Sequence, residues 1–134
     1  VRSTILDSCI FIHDLRDGRY QEQINALRGP IRISAVVLAE LLRGARRQDE
    51  KLFVKRIGEN HPVIAPTANN WLESGEILAK MRAEHGLSPE RLRALHFDTL
   101  IALTARSAGA RLITSNRGDF EMIRSCRDFD LEIW

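Results

Sequence analysis

The sequence predicts an α/β fold in which a central parallel sheet of about five strands is flanked by helices. Short apolar runs suited to buried strands recur along the 134 residues, segments of helical periodicity lie between most of them, and no repeat, low-complexity tract or Ser/Gly linker interrupts the chain. Strands separated by helices favour parallel pairing, because the crossover helices then cover both faces of the sheet.

The strand candidates are residues 3–6, 31–33, 62–65, 111–113 and 131–133. Each is a short apolar run bounded by polar or turn-forming residues. After the first, the regions 15–29 and 49–60 read as helical. Ser34 is placed to cap a helix through Val37, Leu38, Leu41, Leu42 and Ala45, and Thr67 one through Trp71, Ile77, Leu78 and Met81. Ser88-Pro89-Glu90 is the strongest start signal: a capping side chain, then proline at the first helical position, with the helix expected to run to about Ser107 before Gly109. The last strand candidate but one runs out into polar residues that suggest a turn and a short helix. All four prolines fall at element boundaries, and the whole chain, 1–134, reads as a single domain.

Composition narrows the function. Apolar residues make up 44% and charged residues 28%, as in soluble globular proteins, and no apolar run approaches the ~20 residues of a membrane span. With nothing resembling a signal peptide, a cytoplasmic location is expected. Cys9 and Cys126 are far apart, and His13, His61, His85 and His96 lack zinc-ligand spacing, so any metal must be held by oxygen. The net charge is only +2, yet seventeen of the twenty basic residues are Arg, a side chain whose planar fork fits phosphate. A G+C-rich genome would produce the same bias, so it weighs little alone.

Four acids stand in unusual positions. Asp7 follows the first strand directly and so sits at the carboxyl edge of the sheet, where open α/β folds bind ligands; capping a helix from Ser8 is the ordinary alternative. Glu40 is mid-helix, with Val36 and Val37 among its helical neighbours, and pairing with Arg43 would be a structural role for it. Gly44 nearby suggests close approach of something to the backbone. Asp98 is flanked at three and four positions by Ala94, Leu95, Ile101 and Ala102, so its carboxylate projects from an inward-facing stripe and needs a cation, from a metal or an arginine. Thr114, Ser115, Asn116 and Asp119 follow the fourth strand, where turn and capping roles compete with a site. Two carboxylates ~5 Å apart repel by roughly 3 kcal/mol at an effective dielectric of ~20, so a cluster of them raises its own pKa values or gathers a hard divalent ion, Mg²⁺ or Mn²⁺.

Leu6-Asp7-Ser8, Ala39-Glu40-Leu41-Leu42-Arg43-Gly44-Ala45, Phe97-Asp98-Thr99-Leu100-Ile101-Ala102, and Thr114-Ser115-Asn116 with Asp119-Phe120, in this order and at these separations, resemble the PIN-domain family, and within it the VapC-like toxins of prokaryotic toxin-antitoxin pairs. The resemblance spans nearly the whole chain. It implies a three-layer sandwich with strand order 3-2-1-4-5 and a cleft at the carboxyl ends of the first and fourth strands. It makes Asp7, Glu40, Asp98 and Asp119 the catalytic acids, with Asp7, Asp98 and Asp119, and Glu40 as an optional fourth, holding one or two Mg²⁺ or Mn²⁺ ions. Ser8, Thr114, Ser115 and Asn116 would support them. The neutral Asn116 leaves open whether Asp119 touches a metal directly.

The activity so implied is hydrolysis of RNA phosphodiester bonds by metal-activated water, leaving a 5′-phosphate and a 3′-hydroxyl. The Arg clusters, Arg43, Arg46 and Arg47 on one segment and Arg91 and Arg93 on another, are candidates to steer the RNA backbone, with Arg43 and Arg117 nearest the acids in sequence. The implied partners are RNA, a cognate antitoxin and a second copy in a homodimer, with no membrane. A non-enzymatic nucleic-acid-binding module, or a PIN domain without activity, is the alternative. A haloacid dehalogenase-like phosphotransferase is disfavoured because Cys9 stands where that family has a second Asp.

Overall fold

Thr4, Ile5 and Leu6 are all buried, which a three-residue segment achieves only as a strand covered on both faces. This strand, β1 (Thr4–Leu6), is the centre of a five-stranded sheet with β2 (Ile31–Ser34), β3 (Val63–Ile64), β4 (Arg111–Thr114) and β5 (Leu131–Ile133). Every pairing is parallel, and the order is β3-β2-β1-β4-β5. These are features of a computed structural model, which describes residues 2–134.

The strand order reverses direction beside β1: the chain steps outward through β2 and β3, then crosses back to lay β4 on the other side of β1. Such a switch point leaves a crevice beyond the carboxyl ends of the two central strands. Register makes the two ends level. Leu6 lies opposite Ile113, so Asp7 and Thr114 are the next residues on each strand, and the Asp7 N–H donates to the Ile113 carbonyl at 2.9 Å.

The helices are α1 (Ser8–Asp17), α2 (Gln21–Ala26), α3 (Ala35–Gly44), α4 (Gln48–Asn60), α5 (Ala68–His85), α6 (Pro89–Ser107) and α7 (Arg117–Cys126). The caps expected from the sequence are present. Ser34 Oγ accepts from Val36 N and Val37 N, Thr67 Oγ1 from Asn70 N, and Ser88 Oγ from Arg91 N. Helix α6 is buried on every side from Thr99 to Ala105. It packs against α3, α5, α7 and β4, which explains why this segment has little amphipathic contrast. The core gathers Ile5, Ile10, Ile33, Met81, Leu100 and Phe120, among others.

Three local expectations change. The helical region at 15–29 is two helices, because α1 already starts at Ser8 and ends at Gly18, whose φ of 65° breaks the chain direction before α2. Gly44 is the last residue of α3 instead of lying mid-helix; nothing lies within 4 Å of the position a Cβ would take, and the residue lines the open groove beside Glu40. Trp71 is 49% exposed instead of lying in the core stripe of α5, and its ring meets His96 edge-on at 5.8 Å. Among the described residues, no helix is long and apolar enough to cross a membrane.

Candidate active site

Asp7 is both the first residue past β1 and the N-cap of α1. Its φ of −70° and ψ of 160° are extended, so the carboxylate turns back toward the start of the helix. Oδ1 accepts from Ser8 N at 2.8 Å, and Oδ2 accepts from the Thr114 hydroxyl at 2.7 Å and the Cys9 thiol at 3.4 Å. Burial nevertheless wins: the carboxyl pKa is raised, although the bonds from Thr114, Ser8 and Cys9 each oppose the rise. Capping and site membership therefore coexist in one residue.

Thr114, at the end of β4, also accepts from Asn116 N at 3.0 Å, so its single hydroxyl ties the β1 carboxylate to the turn leading into α7. Thr114→Val keeps the shape but leaves Asp7 Oδ2 without its O–H donor in a buried setting. The expected cost is about 1–3 kcal/mol in a urea melt, with Thr114→Ser close to the parent. A neutral result for Val would mean that the bond contributes nothing net.

Glu40 projects from α3 toward Asp7. Its Oε1 is buried with no hydrogen-bond partner, and its pKa is raised by burial and then by the Asp7 charge, against smaller opposing effects of Ser8 and Arg43. Asp98 projects from α6 and makes no hydrogen bond through its side chain to the described residues. Burial, followed by the charges of Asp7, Glu40 and Asp119 in that order, pushes its pKa up to about 8, with Arg91 alone acting the other way. Asp7, Glu40 and Asp98 thus lie within electrostatic reach of one another, and Asp119 within reach of Asp98.

Asp119 differs from the other three. Burial works to raise its pKa, but bonds from Arg91 and Asn116 outweigh it and hold the carboxyl below its usual range. One oxygen accepts from the Arg91 guanidinium and the other from Asn116 Nδ2 at 3.0 Å. Asn116 Oδ1 in turn takes the Asp119 N–H at 3.5 Å, capping α7.

Among the described residues, no group of three or more His, Cys, Asp or Glu side chains converges closely enough to form a ready-made metal site. Mutual repulsion keeps ionised carboxylates apart when no cation sits between them. The fit of a divalent ion rests instead on the orphaned, buried Glu40 Oε1 and on a donor set made wholly of oxygen, which selects Mg²⁺ or Mn²⁺.

Of the remaining sequence candidates, Ser8 and Ser115 lie against the cluster, whereas Arg43 and Arg117 engage other partners. Ser8 contributes its N–H to Asp7, and Ser115 donates its N–H to Cys9 Sγ at 3.4 Å. Arg43 lies over the Phe97 ring with its Cζ 5.8 Å from the centroid, bridging the helices that carry Glu40 and Asp98. Arg117 is occupied by Glu121 at 3.0 Å on the outer surface of α7. A groove of about 470 Å³ between α1, α3 and α4 opens beside Glu40; Phe11, Ile12, Leu15, Leu41 and Phe53 line it together with the charged Arg16, Arg47, Asp49 and Glu50.

The chain's residues 4–124 match the PIN domain family. It belongs to the PIN-domain family. This PIN domain is 30% identical, over 131 residues that cover 91% of each chain, to the tRNA(fMet)-specific endonuclease VapC of Shigella flexneri. Its fold is that of the DNA-bound VapBC of Salmonella typhimurium, with a TM-score of 0.77 at 23% identity over 100% of this chain and 99% of that one. VapBC2 from Rickettsia felis, bound to a DNA fragment from its promoter, is similar with a TM-score of 0.74, 23% identity and 98% coverage of both chains.

One residue of the PIN domain's cleft, Cys9, was not singled out from sequence as a site residue. Cys9 Sγ touches Asp7 Oδ2, Thr114 Oγ1 and Ser115 N, each at 3.4 Å, and so bridges the ends of β1 and β4. Its position two residues after Asp7, in the first turn of α1, was the available signal. Arg91, one of the basic cluster with Arg93 in the sequence, joins Asp119 across α6 and α7, a pairing the sequence does not announce.

Proposed function

We propose that this PIN domain is a Mg²⁺- or Mn²⁺-dependent endoribonuclease, the toxin of a toxin-antitoxin pair. The observation that carries the reading is that Asp7, Glu40 and Asp98, from three separate elements, lie within electrostatic reach of one another beyond the β1/β4 switch point, with burial and neighbouring charge raising the Asp98 pKa to about 8. Nothing in the packing requires these acids to be together, and a divalent ion would relieve all three. Family membership and the endonuclease named among the relatives support RNA as the substrate.

In this reading Asp7, Glu40 and Asp98 hold the ion, while Asp119 stands at the rim. A bound ion would supply Lewis acidity, favouring deprotonation of a water and offsetting charge on the phosphate. Thr114, Ser8 and Cys9 fix the Asp7 carboxylate by hydrogen bonds, so that its orientation does not depend on the ligand. Arg43, held by Phe97, flanks the acids on the side of α3. A cognate antitoxin and a homodimer are the partners of this reading, supported by the likeness to the VapBC assemblies and by Ile12 and Leu15 exposed along the groove beside Glu40.

The test is incubation of purified protein with labelled RNA pools, with and without Mg²⁺ or Mn²⁺, beside Glu40→Gln and Asp98→Asn. Cleavage should need the ion and fall by about a thousandfold or more in either variant. Equal cleavage by parent and both variants would overturn the reading.

A further inference from the structure

We infer that Phe97 stacks against a base of the RNA next to the bond being cut, with the guanidinia of Arg43 and Arg93 on the neighbouring phosphates. This role rests on the ribonuclease reading above and gives the acid cleft the side chain that holds a base of its substrate.

Phe97 directly precedes Asp98 on α6, so its ring leaves the helix ~100° around the axis from that carboxylate. Its helical neighbours toward the C-terminus, Leu100 and Ile101, are fully buried, whereas Arg93 and Ala94, one turn earlier, are exposed. The ring therefore stands where the core face of α6 gives way to its open face, and the residue is 37% exposed. Enclosing such a ring removes roughly 150–250 Å² from water, yet here part of it stays wet beside an acid of the site. Packing of the chain on itself does not account for that placement.

Arg43 reaches the ring from the other helix. It lies three residues after Glu40 on α3, so the two share a face, and its charge is near enough to act on that carboxylate. Its Cζ is 5.8 Å from the Phe97 centroid, within cation–π range. Arg93, one turn before Phe97 on α6, extends the same rim. Among the described residues neither Arg43 nor Arg93 takes part in an ion pair. Arg91, Arg111 and Arg117, by contrast, each have a carboxylate partner.

The strip so formed, cation, ring, cation, matches a nucleotide part by part. Every base has a π-face, and stacking on an aromatic side chain holds it whatever its identity. A guanidinium fork with its donors unspent suits a phosphodiester's two free oxygens. A strand with one phosphate among the acids must lay its next base against a wall of the cleft, and the wall shared by α3 and α6 is this ring with its arginine. A second copy of the chain fits less well: a two-fold contact centred on the strip would set its arginines against their own counterparts.

Binding is read by fluorescence anisotropy with a labelled RNA oligonucleotide that the parent cuts at one place, every variant being made in an Asp98→Asn background where RNA is not cut. Phe97→Ala should weaken binding about tenfold and leave the slope of log K against log salt unchanged, since a ring carries no charge. Phe97→Tyr should stay within about threefold of the background protein, whereas Phe97→Leu, apolar but without a π-face, should be as weak as Phe97→Ala. Arg43→Gln should lower the slope by ~0.7, as for one lost phosphate contact. The base itself is then removed: with an abasic nucleotide at one of the two positions flanking the cut, the background protein and Phe97→Ala should bind alike.

A tenfold loss in Phe97→Ala that persists with either flanking base absent would show that the ring meets no base there, and would overturn the inference. So would equal binding by Phe97→Leu and Phe97→Tyr. Sedimentation velocity covers the remaining occupant: if Phe97→Ala dissociates a dimer and regains RNA affinity at higher protein concentration, the ring belongs to a contact between copies and not to RNA. Each of these failures leaves the ribonuclease reading standing if the parent cuts RNA with Mg²⁺. A parent that does not cut RNA removes that reading, and the role of Phe97 with it.

Discussion

In metal-free buffer at pH 8, Asp98→Asn should be more stable than the parent protein by about 2 kcal/mol, a rise of roughly 6 °C in Tm. The Asp98 carboxyl has its pKa raised from 3.8 to about 8 by burial and by the charges of Asp7, Glu40 and Asp119. A carboxyl with a higher pKa when folded holds its proton more tightly in the native state. Below about pH 4 both states are protonated and there is no penalty. As pH climbs from 4 to 8 the unfolded chain ionises while the native site resists, and stability falls; above 8 the loss is complete and constant. Asn, which stays neutral, should escape it, so the gain of the variant over the parent should grow across that window and then level off.

Millimolar Mn²⁺ should reverse the order, because the parent gains the linkage energy of a bound ion and the variant does not. A variant that melts below the parent at pH 8 without metal would show that Asp98 is satisfied by a cation of the protein itself. The same substitution that stabilises the fold is expected to abolish cleavage, which is the usual mark of a site held together against its own repulsion.

Phe120→Ala should be the most damaging single truncation near the cleft, costing about 3–5 kcal/mol, on the order of 10 °C or more in Tm. Phe120 is fully buried and follows Asp119 directly, so its ring anchors the first turn of α7 in the core while the preceding side chain faces Arg91. Removing the ring leaves a cavity and loosens the turn that presents Asn116 and Asp119. A change below about 1 kcal/mol in a urea melt would mean that the surrounding core collapses into the space and that Phe120 anchors little.

Much of the site was legible because its residues conflict with their local surroundings. Asp98 interrupts an apolar stripe, Asp7 ends an apolar strand, and Glu40 sits beside Val36 and Val37; each anomaly needs only neighbours within four residues to be noticed. The strand positions and the Ser34, Thr67 and Ser88 caps were legible for the same reason. Gly18 was read through because a single glycine inside a helical pattern does not announce a left-handed φ. Arg91 and Cys9 carry no such conflict. An arginine in the first turn of a helix and a cysteine among small residues are ordinary until their distant partners are known.

By itself, then, the amino-acid order determined where strands and helices form and which carboxylates are out of place, since periodicity, capping chemistry and local polarity are set by adjacent residues. Only the tertiary structure decided which acids are left without a partner and which one has been neutralised. Asp119 meets Arg91, and Asp7 meets Thr114 and Cys9, through the packing of α6 on α7 and the level register of β1 with β4. Hydrogen bonds across such junctions act over about 3 Å, and a separation that small between residues far apart in the chain is fixed by the assembled core.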